Sequence, residues 1–303
     1  MDSSDLPSQP RIGLVMTGGG ARAAYQVGVL RAISMMLPAG SPSPFSIICG
    51  TSAGAVNATV LAANASNFRR GVRQLMTVWK NFHVHHVYRA DPLGVIYNSG
   101  KWILAVLTGG LGRETPISLL DNLPFAHLLN TRLDFGAIQR SIDRGDLYAF
   151  SVTCSGYTSG QSVTFYQGVP RLEPWQRARR IGIPAKIGPE HLLASSALPF
   201  IFPAAHINRE YFGAGSMRQV DFRLISPSIA LEKIAIGHMH TLPRTIRTLL
   251  FTLGALKKSG SNLVSYLLFE REYCRALIKL GYDDTMQRRD DLMQFLGYEA
   301  CWL

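Results

Sequence analysis

The sequence is short of several things at once. It has 4 cysteines in 303 residues, and Cys49, Cys154, Cys274 and Cys301 are scattered with no Cys-x-x-Cys pair. That excludes a disulfide framework and a zinc ribbon, and the cysteines read as buried or incidental thiols of a reducing compartment. Charged residues make up only 17% against 47% hydrophobic ones, which excludes a chain disordered throughout. Acids are the scarcer sign: 20 Asp and Glu face 31 Lys and Arg, and the formal net charge of +11 points to an anionic partner, a membrane surface or nucleic acid. Long apolar runs are missing as well. Residues 102–107 and 249–256 fall far short of the roughly 20 residues a spanning helix requires. The first ten residues are polar and acidic, without the basic and apolar regions of a signal peptide, and read as a flexible N-terminus. There is no repeat and no low-complexity tract. At this length roughly three quarters of the unfolded surface can be buried without a metal or disulfide staple.

What is present begins at residues 11–16, RIGLVM, a short apolar run that meets Thr17-Gly18-Gly19-Gly20. From Ala21 the period becomes helical, with Ala24, Val27, Val29, Leu30 and Ile33 recurring up to Pro38. A second strand, residues 45–49, meets Gly50-Thr51-Ser52-Ala53-Gly54 and then an alanine-rich helix, residues 55–63. Two units of strand, glycine turn and helix predict an α/β fold with a mainly parallel sheet between helices. Residues 68–129 read as largely helical. Residues 147–154 and 162–167 alternate like two strands around a turn at 156–160. Helices are expected over 244–256, 263–280 and 284–295.

Gly50-x-Ser52-x-Gly54 between a strand and a helix has the form of a nucleophile elbow, whose glycines permit the tight turn that lifts a serine hydroxyl clear of the sheet. The opening helix favours negative charge beside that serine. Alone the pattern is weak, and a tight βα turn in a nucleotide-binding fold competes with it. Gly18-Gly19-Gly20-Ala21-Arg22 sits at a similar junction, where stacked N–H donors suit a phosphate or an oxyanion. A dinucleotide loop fits the spacing but lacks an acidic residue after the helix, and no Lys-Ser or Lys-Thr follows to make a Walker loop. The pair suits acyl transfer better than hydride transfer.

Together these residues resemble the patatin-like phospholipases, particularly the bacterial branch. The resemblance extends through Ala194-Ser195-Ser196-Ala197-Leu198-Pro199-Phe200, residues 211–219, and Ser265-Tyr266-Leu267-Leu268-Phe269-Glu270. It implies a serine–aspartate dyad that hydrolyses lipid acyl esters without histidine, metal or cofactor. By that resemblance Ser52 is the nucleophile. Gly18, Gly19, Gly20, Ala21 and Arg22 form the oxyanion region, with Gly50 and Gly54 as the elbow.

The family's dyad aspartate opens an Asp-Gly-Gly or Asp-Gly-Ala loop, and here the matching segment reads Gly213-Ala214-Gly215-Ser216. Ala214 stands where the aspartate is expected. A methyl group accepts no proton, and losing a dyad partner costs at least about 10³–10⁴ in rate. Asp221, seven residues on, is a poor substitute. With every other element intact, exchange of aspartate for alanine, by design or by recent loss, explains the pattern better than long drift. The resemblance thus implies an inactivated hydrolase, with a non-catalytic lipid-binding or scaffold protein as the alternative. The stretch from Gln219 to the final helices is also shorter than in bacterial relatives.

Leu198, Phe200, Phe202 and Trp102 are the expected acyl-chain pocket. His83, His85 and His86 lack the convergent partners of a metal site and read as histidines near a lipid pocket. The groups Arg69, Arg70, Arg73 and Lys80, and Arg177, Arg179 and Arg180, read as solvated faces. Residues 101–107, a lysine and a tryptophan before an aliphatic run, form either a buried helix or an interfacial segment. The expected partners are a phospholipid or other acyl lipid and an anionic membrane surface, which exposed basic residues favour by about 1 kcal/mol each. Nucleic acid is not expected, since no zinc finger or RNP-like motif occurs. The resulting expectation is a cytoplasmic protein with peripheral membrane association open. It has a flexible stretch at 1–10, a hydrolase domain at 11–240 and a helical segment at 241–303 packed on it.

Overall fold

The computed structural model describes residues 11–89, 118, 120–199, 201–207, 210–214, 225–252 and 261–298. Its sheet begins with β1 (Gly13–Met16), β2 (Ile47–Thr51) and β3 (Ala149–Gly156), which run parallel. β4 (Ser162–Gly168) returns antiparallel along β3, and β5 (Trp175–Arg177) and β6 (Arg180–Pro184) extend that side in the order β1-β2-β3-β4-β6-β5. A short hairpin of β7 (Ala205–Ile207) and β8 (Glu210–Ala214) joins at β3. The fold is α/β, as the two strand–glycine–helix units predicted.

The placement of β8 positions the site. On β3, Thr153 pairs with Thr51 of β2, while Cys154, the next residue, pairs with Ala214 of β8. β4 occupies the other edge of β3 at both positions. β2 and β8 therefore share one edge and meet end to end. β2 leaves that edge after Thr51, and β8 takes it over at Ala214.

The helices pack by residue size as much as by pattern. α1 (Ala24–Met36) and α10 (Arg271–Met286) cross with their backbones in contact. A Cβ on Gly28 would lie 2.1 Å from the Ile278 carbonyl oxygen, and one on Gly281 would lie 2.2 Å from that of Tyr25. Beside the crossing, the Tyr25 hydroxyl donates to Asp284 at 2.9 Å. α2 (Ala53–Ala63) is alanine-rich and almost wholly buried, so it lies close on the sheet. α3 (Phe68–Lys80) is amphipathic: Phe68, Val72, Leu75 and Trp79 are buried at helical spacing, while Arg70, Arg73 and Lys80 are exposed. Its start is capped by Asn67, whose side chain accepts from the Arg70 N–H. α4 (Leu123–Arg132) and α5 (Gly136–Asp143) follow in the chain, and α6 (Pro189–Ser196) precedes the hairpin.

After the hairpin come α7 (Leu231–His238), α8 (Arg244–Thr252), α9 (Ser261–Leu267), α10 and α11 (Arg289–Phe295). The single helix expected over 263–280 is two, broken at residues 268–270. There Phe269 and Glu270 donate their N–H groups to the Leu267 and Leu268 carbonyls. The carboxylate of Glu270 is held by His83 Nδ1 at 3.0 Å and the Val84 N–H at 3.4 Å. The helix expected over 284–295 is likewise divided, with α10 ending at Met286 and α11 starting at Arg289. Most of residues 68–129 that are described form α3, a 3-10 turn (Val84–His86) and α4. Trp102 and the rest of 101–107, Phe200, Asp221 and Cys301 lie outside the described residues. No helix among the described residues is long and apolar enough to cross a membrane.

Candidate active site

Ser52 sits at the end of β2 with φ 54 and ψ −131, a left-handed conformation that a residue with a Cβ rarely adopts. The neighbouring glycines are there because nothing larger fits. A Cβ on Gly50 would lie 2.4 Å from Ala55 Cα, and one on Gly54 would lie 2.4 Å from the Met16 carbonyl oxygen. The turn is pinned from across the sheet. The buried Ser195 hydroxyl accepts the Ser52 N–H at 2.8 Å and donates to the Thr153 carbonyl at 2.6 Å. Ser195 thus ties the β2–α2 turn to β3 through α6, a role that lay unread in the Ala-Ser-Ser-Ala-Leu-Pro stretch.

The glycine loop after β1 closes over the same turn. A Cβ on Gly18 would stand 3.0 Å from Ser52 Cβ. Gly20 has φ +54, and a Cβ there would lie 2.3 Å from the Tyr266 carbonyl oxygen. The loop therefore lies between the serine turn and α9. Ala21 is fully buried. Arg22 is engaged with α9: Nε donates to Ser265 Oγ at 2.7 Å, and the guanidinium lies 5.0 Å from the Tyr266 ring centroid.

Ser52 is 7% exposed and opens into an apolar cavity of about 70 Å³. Leu198 and Phe202, two of the four expected pocket residues, line it; Trp102 and Phe200 are not among the described residues. Trp79, Phe82, Phe125, Leu267 and Phe269 line it too. Trp79 and Phe269 stack at 6.4 Å between centroids, and Phe82 meets Phe269 edge-on at 5.6 Å. Their convergence depends on α3, α4 and the α9–α10 break meeting in space, which no local pattern discloses. The cavity is smaller than the roughly 300–1,000 Å³ of ligand pockets.

Ala214 ends β8 beside the departure point of β2, and its N–H donates to the Ala197 carbonyl at 2.9 Å. Two hydroxyls nearby are buried without a partner among the described residues: Thr51 Oγ1, one residue before Ser52, and Ser196 Oγ, whose residue lines the serine cavity. A buried hydroxyl without an acceptor costs free energy. A carboxylate is an acceptor-only group, and both orphans belong to residues adjoining Ser52 and Ala197.

The histidines take structural places. His83 and His85 stack at 5.4 Å between centroids, and His86 lies tilted against both, 4.2 Å from His85. No group of three or more His, Cys, Asp or Glu suited to a metal ion occurs among the described residues. His191 is buried, accepts the Gly188 N–H at 3.0 Å and packs edge-on against Phe165. Burial pushes the Cys154 thiol up to about 12 and the Cys49 thiol upward as well, so neither is a ready nucleophile.

A family model described as patatin-like phospholipase matches residues 14–221. That stretch is well over half of the chain and includes the glycine loop, the serine turn, α6 and the β7–β8 hairpin. No curated protein sequence matches. With the serine turn, the glycine loop and the hairpin all inside the match, the chain belongs to the patatin-like phospholipase family, whose members are lipid acyl hydrolases.

Proposed function

We propose that this chain is a serine-dependent lipid acyl hydrolase arrested for want of a general base. Ser52 is the attacking residue, and the N–H groups of Gly19, Gly20 and Ala21 receive the oxyanion. Arg22 acts at one remove, anchoring the loop to Ser265. In the working reaction the serine oxygen adds to the ester carbonyl, the alcohol leaves, and water releases the fatty acid from the acyl-enzyme. The proton of Ser52 Oγ needs an acceptor at the start of that sequence. Ala214 stands where the strand register brings β8 against the end of β2, and its methyl group supplies none. That register is the single observation that carries the reading, and the orphaned Thr51 and Ser196 hydroxyls agree with a missing acceptor.

Fatty-acid release from mixed phospholipid vesicles tests it. The chain as it stands releases little, and Ala214→Asp raises release by about 10³-fold or more. Adding Ser52→Ala to the restored chain abolishes the gain. A folded Ala214→Asp protein no faster than its parent overturns the reading. The second reading, a lipid-binding protein without catalysis, draws on the same alanine together with the intact apolar cavity. It predicts retention of a fatty acid with no turnover in either form. The excess of basic residues favours an anionic membrane as the surface on which substrate is met.

A further inference from the structure

A second cavity lies at the other end of the helices that build the serine site. α2 starts at the serine cavity with Ala53 and Val56, and reaches this one with Thr59, Val60 and Ala63. α3 touches the first through Val78 and Trp79 and the second through Arg70 and Gln74. α4 does the same with Phe125 and Leu128 at one end and Arg132 at the other. Helices of this length hold the two about 15 Å apart. The second cavity measures about 350 Å³.

Its chemistry is unlike that of the first. Four guanidiniums line it, those of Arg70, Arg132, Arg140 and Arg144, against one carboxylate, Asp134. Asp134 pairs with Arg140, and Arg144 is held by Asp146 at 2.9 Å. The guanidiniums of Arg70 and Arg132 have no carboxylate or hydrogen-bond partner among the described residues. Some arginines elsewhere are engaged, Arg69 with the Ser34 and Leu37 carbonyls, Arg275 with the Lys80 carbonyl and Arg31 over the Tyr282 ring, so what marks this cavity is four guanidiniums around one space. A cation near the C-termini of α2 and α4 complements their dipoles, but four around one cavity exceed that need. Between the arginines the wall carries amides and hydroxyls from Asn64, Ser66, Asn67 and Gln74. No aromatic ring lines it among the described residues, so nothing there stacks on a base.

We propose that this cavity is a binding site for a polyol bearing two or more phosphate groups, recognised by Arg70 and Arg132 with Arg140 and Arg144 in support. Guanidinium forks match phosphate oxygens in pairs, and uncompensated cations lower the cost of bringing in a dianion. The amide- and hydroxyl-bearing wall suits the hydroxyls of a sugar or cyclitol, and the missing ring disfavours a nucleotide. The same chemistry occurs in a soluble phosphorylated sugar and in a phosphorylated lipid headgroup. The site stands apart from Ser52, and its existence does not depend on how that serine behaves.

Calorimetric titration of the full chain with fructose 1,6-bisphosphate tests the soluble source, and sedimentation with phosphatidylcholine vesicles carrying phosphatidylinositol 4,5-bisphosphate tests the lipid one. Each is run on Arg70→Gln/Arg132→Gln and on Arg177→Gln/Arg179→Gln, which removes the same charge at β5–β6. The expected result is that at least one probe binds, and that the first double variant weakens it about tenfold or more per guanidinium. The control pair should leave binding within about twofold, as for exposed charges distant from the site. Loss with fructose 1,6-bisphosphate assigns a soluble ligand, and loss with vesicles alone assigns a headgroup. Binding of neither probe, or equal loss in both double variants, overturns the proposal. The substituted arginines are exposed, and circular dichroism checks that both variants fold.

Discussion

Ser52 holds φ 54 at the cost of local strain, since its Cβ occupies a backbone region where glycine is at ease. Such strain is worth about 1–3 kcal/mol. Ser52→Gly is therefore expected to raise stability by about 1 kcal/mol while removing the hydroxyl, a trade that urea unfolding reads as a higher midpoint. A lower midpoint would mean that the turn is not strained. Ser195→Ala acts in the opposite direction. It leaves the buried Ser52 N–H and Thr153 carbonyl without their shared hydroxyl, and should cost about 1–3 kcal/mol. The two serines differ in how far the sequence announced them. Ser52 was visible because each flanking glycine answers a close backbone approach, whereas Ser195 does its work across 143 positions of sequence and carries no local pattern.

Elements show the same divide. β1 and β2 were readable because an apolar run stops at a glycine turn in each. β5 was not, for Trp175–Arg177 is exposed along its length and has no buried face to create an alternation. The helix expected over 263–280 breaks at 268–270 although its apolar period continues, because Glu270 is drawn to His83 and Val84 on a distant segment. That break turns Phe269 toward the serine cavity, which no periodicity discloses. The crossing of α1 and α10 is the element on which the C-terminal helices depend. Gly281→Ala places a methyl group 2.2 Å from the Tyr25 carbonyl oxygen and should destabilise by about 1–3 kcal/mol through forced separation of the helices. A midpoint unchanged by that substitution would contradict the close crossing.

For the molecule as a whole, the family match ends at residue 221, yet Tyr266, Leu267 and Phe269 wall the serine cavity and Tyr273, Leu277 and Ile278 are buried against the rest. The C-terminal helices complete the core, and a chain cut after residue 240 is expected to show no cooperative thermal transition by circular dichroism. Acid stability follows from two histidines. Burial is the chief reason that His86 and His191 are held below the ordinary imidazole range. His85, His83 and Arg132 add to the effect at His86, while Glu190 opposes it at His191. The unfolded chain then binds more protons than the native one. Their contribution is complete above about pH 6.5 and is lost as the pH falls through the native values. Urea midpoints should drop on acidification from about pH 7.5 to about pH 5, and a rise would contradict that sign. The resemblance at Gly213-Ala214-Gly215 identified the alanine, but only the shared edge of β3 shows that it adjoins the end of β2. Whether the molecule is a hydrolase short of one carboxylate is answered most directly by intact-mass labelling with a fluorophosphonate. The account predicts slow modification of the present chain, labelling faster by about 10³-fold or more in Ala214→Asp, and the adduct on Ser52. Equal rates in the two chains, or an adduct on another residue, would contradict it.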